Sequence, residues 1–263
     1  LHTAFKDALR EARLVAATFS HCEDTFLRYF QKDHQNFVRD LFRTIANIPL
    51  KADITKDTVQ QYLAPSKLDL NPDFDKLFIS FGNNPHLTQA ELLISSCNAD
   101  APGHPNQPDA FIFSRPNGIA LVSLCPELFT YPSLDTIEDP PPALRDPPPA
   151  STPFIGFTCD RLGDHDTDWM TSPGGVLLHE LMHWAYLFRN VPNFDLWIPD
   201  GWIADYRGDN PKTGYGPFYA EQLLFFSTKW NPAKFRQNEV LQNADSYAVY
   251  AHSKYWTFSE AKG

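Results

Sequence analysis

The sequence predicts an α+β fold, mainly helical with a small mixed sheet. Three observations predict it: helical periodicity at the start of the chain, short apolar runs bounded by Asn, Pro and Gly in the middle, and helical periodicity again toward the end. From Thr3 to Asn47 the apolar residues Phe5, Leu9, Ala12, Val15, Ala16 and Phe19 recur at helical spacing, and no Pro or Gly intervenes before Pro49. One long helix or a helical pair is expected there. The runs Leu77 to Phe81, Ala110 to Phe113 and Ile119 to Leu124 have the length and the punctuation of strands. Seven prolines between Glu138 and Pro153 can neither extend a helix nor donate to a ladder, so that stretch is expected to be a surface loop.

Ser172-Pro173 supplies an N-cap and a first-turn proline for a helix over Val176 to Arg189, with a basic residue in its last turn. Asn193 to Pro217, rich in Gly, Pro and Asp, is expected to be loop. Phe218 to Lys229 and Glu239 to Tyr255 are again helical in pattern.

A chain of 263 residues is long enough for one large domain or two small ones. No repeat or linker divides it, which favours a single domain over 1–263. Hydrophobic residues make up 43% and charged ones 21%, a balance that excludes a disordered chain. The net charge of −10 would repel phosphates, so nucleic acid is not an expected partner. No apolar run approaches the roughly 20 residues of a membrane span. A chain that opens at Leu1 without an initiator Met is expected to be a soluble, processed product.

Cys22, Cys97, Cys125 and Cys159 contain no C-x-x-C pair. An even, dispersed set of four is expected to form two disulfides in a secreted, extracellular protein, with three pairings open.

His179-Glu180-Leu181-Met182-His183 fits H-E-x-x-H. On a helix, residues four apart lie about 40° apart around the axis and about 6 Å along it, so two imidazoles can reach one metal ion. Nine His and nine Glu in a chain of this length give about 0.01 such matches by chance. With Leu177 at zero and about 100° per residue, Leu181, Trp184, Ala185 and Phe188 form one apolar stripe, while His179 and His183 fall on the opposite face at about 200° and 240°. Glu180, at about 300°, flanks that face and is placed to handle a proton without being a ligand. A catalytic zinc takes three protein ligands and keeps one position open, so a third ligand is needed. Tyr186 and Arg189 occupy the places of the Gly and third His of the metzincin pattern and exclude that answer. Glu221 and the loop carboxylates Asp195, Asp200, Asp205 and Asp209 remain.

The block HELMH, the loop GWIADYRGDNPKTGYG from Gly201 to Gly216 and the segment NADSYAVYA from Asn243 to Ala251 resemble the deuterolysin or aspzincin family of secreted fungal zinc metallopeptidases. The strand before Cys125-Pro126-Glu127-Leu128-Phe129 is similar too, and the likeness covers about Cys97 to Tyr255. It implies a zincin-like fold with a cleft between an N-terminal lobe, about 1–190, and a C-terminal lobe, about 191–263. It also implies one Zn²⁺ per chain, a protein or peptide substrate and a monomer. The family's third ligand is an Asp in G-T-x-x-D-x-x-Y-G. Here no G-T occurs, and Lys212 stands three residues before Tyr215. Asp205 is then the expected ligand, separated from Tyr215-Gly216 by an insertion, with Asp209 and Asp200 next. The resemblance assigns Glu180 as general base and acid and Tyr215 as oxyanion donor, with Tyr206 as rival.

Asp245 matches a family Asp that, in lysine-specific members, acts with an acidic residue three places later; that place is Ala248 here. Strict lysine specificity is therefore not expected, although Asp245 and the overall negative charge could favour basic substrates, and helix packing or capping is an equal expectation for Asp245. His165 between Asp164 and Asp166 is expected to sit in a polar loop, and His86, His104 and His252 to be structural or surface residues.

Overall fold

A computed structural model describes residues 1–64, 69–98, 108–139, 171–230 and 239–260. Most of the proline-rich stretch, together with His104, Cys159 and His165 and its flanking aspartates, lies outside the described residues.

The observed architecture is mixed α+β and mostly helical. Helix α1 (His2–Thr18) is followed by α2 (Asp24–Tyr29), a 3-10 turn (Lys32–His34), α3 (Gln35–Ile45) and α4 (Val59–Leu63). Strand β1 (Leu77–Phe81), helix α5 (Gln89–Leu92), strands β2 (Ala110–Ser114) and β3 (Ala120–Leu124) and helix α6 (Leu134–Glu138) come next. Beyond them lie α7 (Pro173–Met182), α8 (Phe194–Trp197), α9 (Gly216–Phe225) and α10 (Ala244–Glu260).

The sheet has the order β1-β3-β2. β3 is central and entirely buried; β1 runs parallel to it, pairing Ile79 with Val122, and β2 runs antiparallel, pairing Ile112 with the same residue. All three strands fall within a residue of where the apolar runs place them.

The core lies around α1, which packs on α3, α7 and α10, while α7 also packs on α10. α7 crosses α1 so closely that a Cβ on Gly174 would stand 2.4 Å from the Asp7 Cβ and 2.7 Å from the Ala8 nitrogen. Only a residue without a side chain fits that crossing. Phe26 and Phe30 of the α2 segment stack on each other, and both meet Tyr250 of α10 edge to face. Each is fully buried, which contributes about 1.5–3 kcal/mol per side chain.

That aromatic cluster explains why the first helical pattern is broken. The backbone leaves the helix at Phe19 (φ −56, ψ 129), although neither Pro nor Gly forces it. Turning there lets Phe26 and Phe30 reach the core and places Glu23 against Lys254 and Tyr250. Tertiary burial overrides local propensity.

The expected helix to Arg189 is also corrected. Its α-helical part ends at Met182, with Ser172 as the observed N-cap, and Trp184 leaves helical geometry (φ −84, ψ 80) before a 3-10 turn over Ala185–Phe188. The change lets the buried Trp184 donate from Nε1 to the Gly118 carbonyl at 2.9 Å. Two smaller corrections follow: the loop Asn193 to Pro217 contains the single turn α8, and the last helix starts at Ala244, not Glu239.

Cys97 and Cys125 form a disulfide between residues 28 apart, beside the sheet. Cys22 is an exposed free thiol, so one of the two expected bridges is observed among the described residues. No described helix is long and apolar enough to cross a membrane.

Candidate metal centre

α7 is capped by the Ser172 hydroxyl, which accepts from Gly175 N at 3.0 Å. One turn separates His179 from His183, and the second of them is the C-cap residue of the helix. Their Nε2 atoms lie 3.1 Å apart. Asp205 joins them from the following loop, its Oδ1 lying 3.1 Å from His179 Nε2 and 3.4 Å from His183 Nε2. Among the described residues these three form the group able to hold a metal ion. Asp195, Asp200, Asp209 and Glu221 are not part of it.

The loop from Ala204 to Gly216 is what makes this possible. Ala204 bonds on both sides of the turn before α10, donating to Gln242 O at 3.0 Å and accepting from Ala244 N at 2.8 Å. Asn243 Oδ1 accepts from Tyr206 N at 3.1 Å, and its Nδ2 donates to Gly214 O at 3.1 Å. Between those anchors the chain makes an excursion closed by the antiparallel bridge Arg207–Thr213. Asp205 and Tyr215, at the two ends of the excursion, are brought together, and the Tyr215 hydroxyl donates to Asp205 Oδ2 at 2.7 Å. The rival Tyr206 turns its hydroxyl onto its own loop, against Gly208.

Both imidazoles are locked by their other nitrogen. His179 Nδ1 donates to Asp245 Oδ1 at 2.7 Å, and His183 Nδ1 donates to the Ile203 carbonyl at 2.7 Å. A neutral ring that donates from Nδ1 presents a lone pair at Nε2. With both rings neutral, two lone pairs and a carboxylate oxygen share one focus. Asp205 Oδ1 is buried there, within ion-pair distance of both rings, yet receives no hydrogen bond. An orphaned, buried anionic oxygen facing two nitrogen donors is the arrangement that a cation satisfies.

Burial disfavours charge on His179, but the carboxylates of Asp205 and Asp245 on either side carry its pKa well above the ordinary value. Burial alone would raise Asp205, and the two imidazoles instead hold it well below the usual carboxylate range. Glu180 is 6% exposed, and burial pushes its carboxyl up against the opposing pull of the two histidines. No described residue gives its carboxylate a hydrogen bond. Burial and the adjacent Asp205 raise the Tyr215 phenol, so it stays a proton donor. His179, Glu180 and Tyr215 open onto a pocket of about 630 Å³.

Asp245 is neither a cap nor a packing residue alone. Its Oδ1 orients His179, and its Oδ2 accepts the backbone N–H of Gly216, whose positive φ of 79° turns the chain after Tyr215. Sequence reasoning missed this role, although a carboxylate behind a metal-binding histidine is a general expectation. The Ile203 carbonyl and Trp202, whose ring is 6.0 Å from that of His183, left no motif to find.

Comparisons of the chain with protein-family models, with curated proteins and with solved structures find no match.

Proposed function

We propose that this chain is a secreted zinc endopeptidase on a zincin-like scaffold, a divergent relative of the deuterolysins. The observation that carries the reading is the convergence of His179 Nε2, His183 Nε2 and the orphaned Asp205 Oδ1 beside Glu180. A tetrahedral zinc with bonds of about 2.1 Å holds its ligands about 3.4 Å apart, and the three distances here are 3.1, 3.1 and 3.4 Å. Two imidazoles and one carboxylate are a donor set that suits zinc and leaves a fourth position for substrate. The Cys97–Cys125 bridge supports an oxidising, extracellular setting.

Zinc, when bound, supplies a Lewis acid toward the scissile carbonyl and toward the attacking water. Glu180 does the proton work: its carboxylate takes a proton from the water and delivers it to the leaving amine, a task suited to a carboxyl raised by burial. Tyr215 keeps its proton and donates to the oxyanion that develops on the carbonyl oxygen. Asp245 and Ile203 fix the two rings so that the ligand nitrogens need no rearrangement.

Metal analysis followed by casein cleavage tests the reading, with the native chain and Glu180→Gln compared. One zinc per chain is expected, with chelator-sensitive cleavage that the variant loses while keeping its zinc. Zinc without cleavage in either form would point to a metal-sequestering or host-interaction protein on the same scaffold. A chain that binds no zinc ends both readings.

A further inference from the structure

We infer that Trp202 is a specificity-determining residue of the site: its indole is the platform on which an aromatic side chain of the substrate stacks, on the side of the centre that leads away from the pocket. This deepens the peptidase reading and rests on it for the word substrate, though not for the ring or its placement.

Trp202 is 50% exposed, and its ring lies 6.0 Å from that of His183 with the two planes tilted by 50°. The backbone holds it there from both sides. Gly201, at a φ of 77°, closes a turn by donating to the Ile198 carbonyl at 2.9 Å. Ile203 is fully buried, and its carbonyl accepts from His183 Nδ1 at 2.7 Å. Ala204 is then pinned to Gln242 and Ala244. A large, stiff ring on a fixed backbone offers contact area with little conformational freedom left to lose on binding.

The fold makes little use of that ring. Trp184 is fully buried and donates to Gly118, and Trp256 donates to His252, whereas Trp202 belongs to no apolar cluster and its indole N–H donates to no described residue. Single exposed aromatics are ordinary on a protein surface, but this one belongs to a set. Tyr215, 44% exposed, stacks on His179 with ring centroids 5.7 Å apart, and the exposed rings of Phe218 and Tyr219 pack on each other a few residues further on. Each imidazole of the centre thus carries an exposed aromatic ring. The pocket opens from His179 and is lined by Tyr215 and Tyr219, but not by His183 or Trp202. A peptide lying across the centre therefore runs toward the pocket in one direction and over Trp202 in the other. Stacking on an indole favours an aromatic side chain beyond the area it buries.

The test follows the indole N–H signal of Trp202 by proton–nitrogen NMR in zinc-loaded Glu180→Gln, which holds substrate-like probes without turnover. The chain has six tryptophans, and this signal is the one that disappears when Trp202→Phe is added. N-acetyl-phenylalanine amide should shift it, and N-acetyl-alanine amide at the same concentration should not. In the otherwise native enzyme, Trp202→Ala should raise KM for casein about three- to tenfold, with a smaller change in kcat and zinc content unchanged, and Trp202→Phe should restore most of the loss. Aromatic residues should recur at one fixed place relative to the bonds cut in casein, a preference that Trp202→Ala should erase. An indole signal indifferent to the phenylalanine probe, or casein cut at the same bonds with the same KM once the indole is gone, would overturn the inference. Should Trp202→Ala not fold, the response of the indole signal to the two probes decides alone. A signal that shifts with the phenylalanine probe, in a protein that leaves casein intact, upholds the platform and removes the peptidase.

Discussion

The Nδ1 of His179 donates to Asp245 Oδ1 at 2.7 Å, across 66 residues of chain, and the same carboxylate holds the N–H of Gly216 next to Tyr215. One side chain thus sets the orientation of a candidate ligand and the placement of the loop that carries the candidate oxyanion donor. An asparagine puts an NH2 group in place of one of the two carboxylate oxygens, so either His179 Nδ1 or Gly216 N would face a donor where it now finds an acceptor. Asp245→Asn should therefore lower zinc affinity about 10–100-fold, the usual range for loss of such a partner. Competition against a chromogenic chelator reads this directly. Unchanged affinity would show that the ring is held by other means.

How much of this was legible follows from the range of each interaction. His179, Glu180 and His183 are a local pattern on one helix, and sequence spacing alone places them. Asp205 needed the motif likeness to be chosen among the loop aspartates, because its position depends on an excursion pinned by Asn243, far along the chain. The Ile203 carbonyl is backbone and carries no sequence signal. The strands were legible because their flanking Asn, Gly and Pro are local punctuation. The helix breaks at Phe19 and Trp184 were not, since distant partners, Tyr250 for the first and Gly118 for the second, decide them.

Asp205 completes the cluster with His179 and His183, and Asp200 and Asp209 lie outside it. Asp205→Ala should abolish stoichiometric zinc binding, whereas Asp200→Asn and Asp209→Asn should leave it intact. Zinc in large excess, about 1,000 times its dissociation constant, adds about 4 kcal/mol to the native state, so chelation should lower the melting temperature of the native chain and not that of Asp205→Ala. Equal chelator sensitivity in the two proteins would rule Asp205 out.

Two adjacent glycines should respond oppositely to alanine. At Gly174 the new Cβ would meet the backbone and Cβ of α1 at 2.4–2.9 Å, and neither helix can yield without repacking the core. The expected cost is about 1–3 kcal/mol, in line with overpacking elsewhere. At Gly175 the nearest atoms are 3.5–3.7 Å away, an ordinary contact, and alanine should be neutral or add about 0.4–1 kcal/mol by restricting the unfolded chain. Urea midpoints of the two variants measure the contrast, and similar destabilisation of both would contradict the close crossing of α1 and α7.

His34 gives the fold an acid-sensitive point that is not part of the metal centre. It is 2% exposed, its Nδ1 accepts from Gln31 N at 3.3 Å, and its ring packs edge to face on Phe30 and Trp197. Burial lowers its pKa from 6.5 to about 4, only partly opposed by Asp33. The unfolded chain therefore binds a proton that the folded chain refuses throughout the interval between those values. Stability from the neutral ring is complete above about pH 6.5 and is lost as pH falls toward 4, by at most about 3 kcal/mol at 1.36 kcal/mol per unit. His34→Gln should flatten the fall in stability between pH 7 and pH 4.5, measured with chelator present so that ligand protonation does not contribute. Should that variant fail to fold, the ring resonances of His34 in the native chain decide the matter, because a ring that titrates near pH 6.5 would sink the prediction.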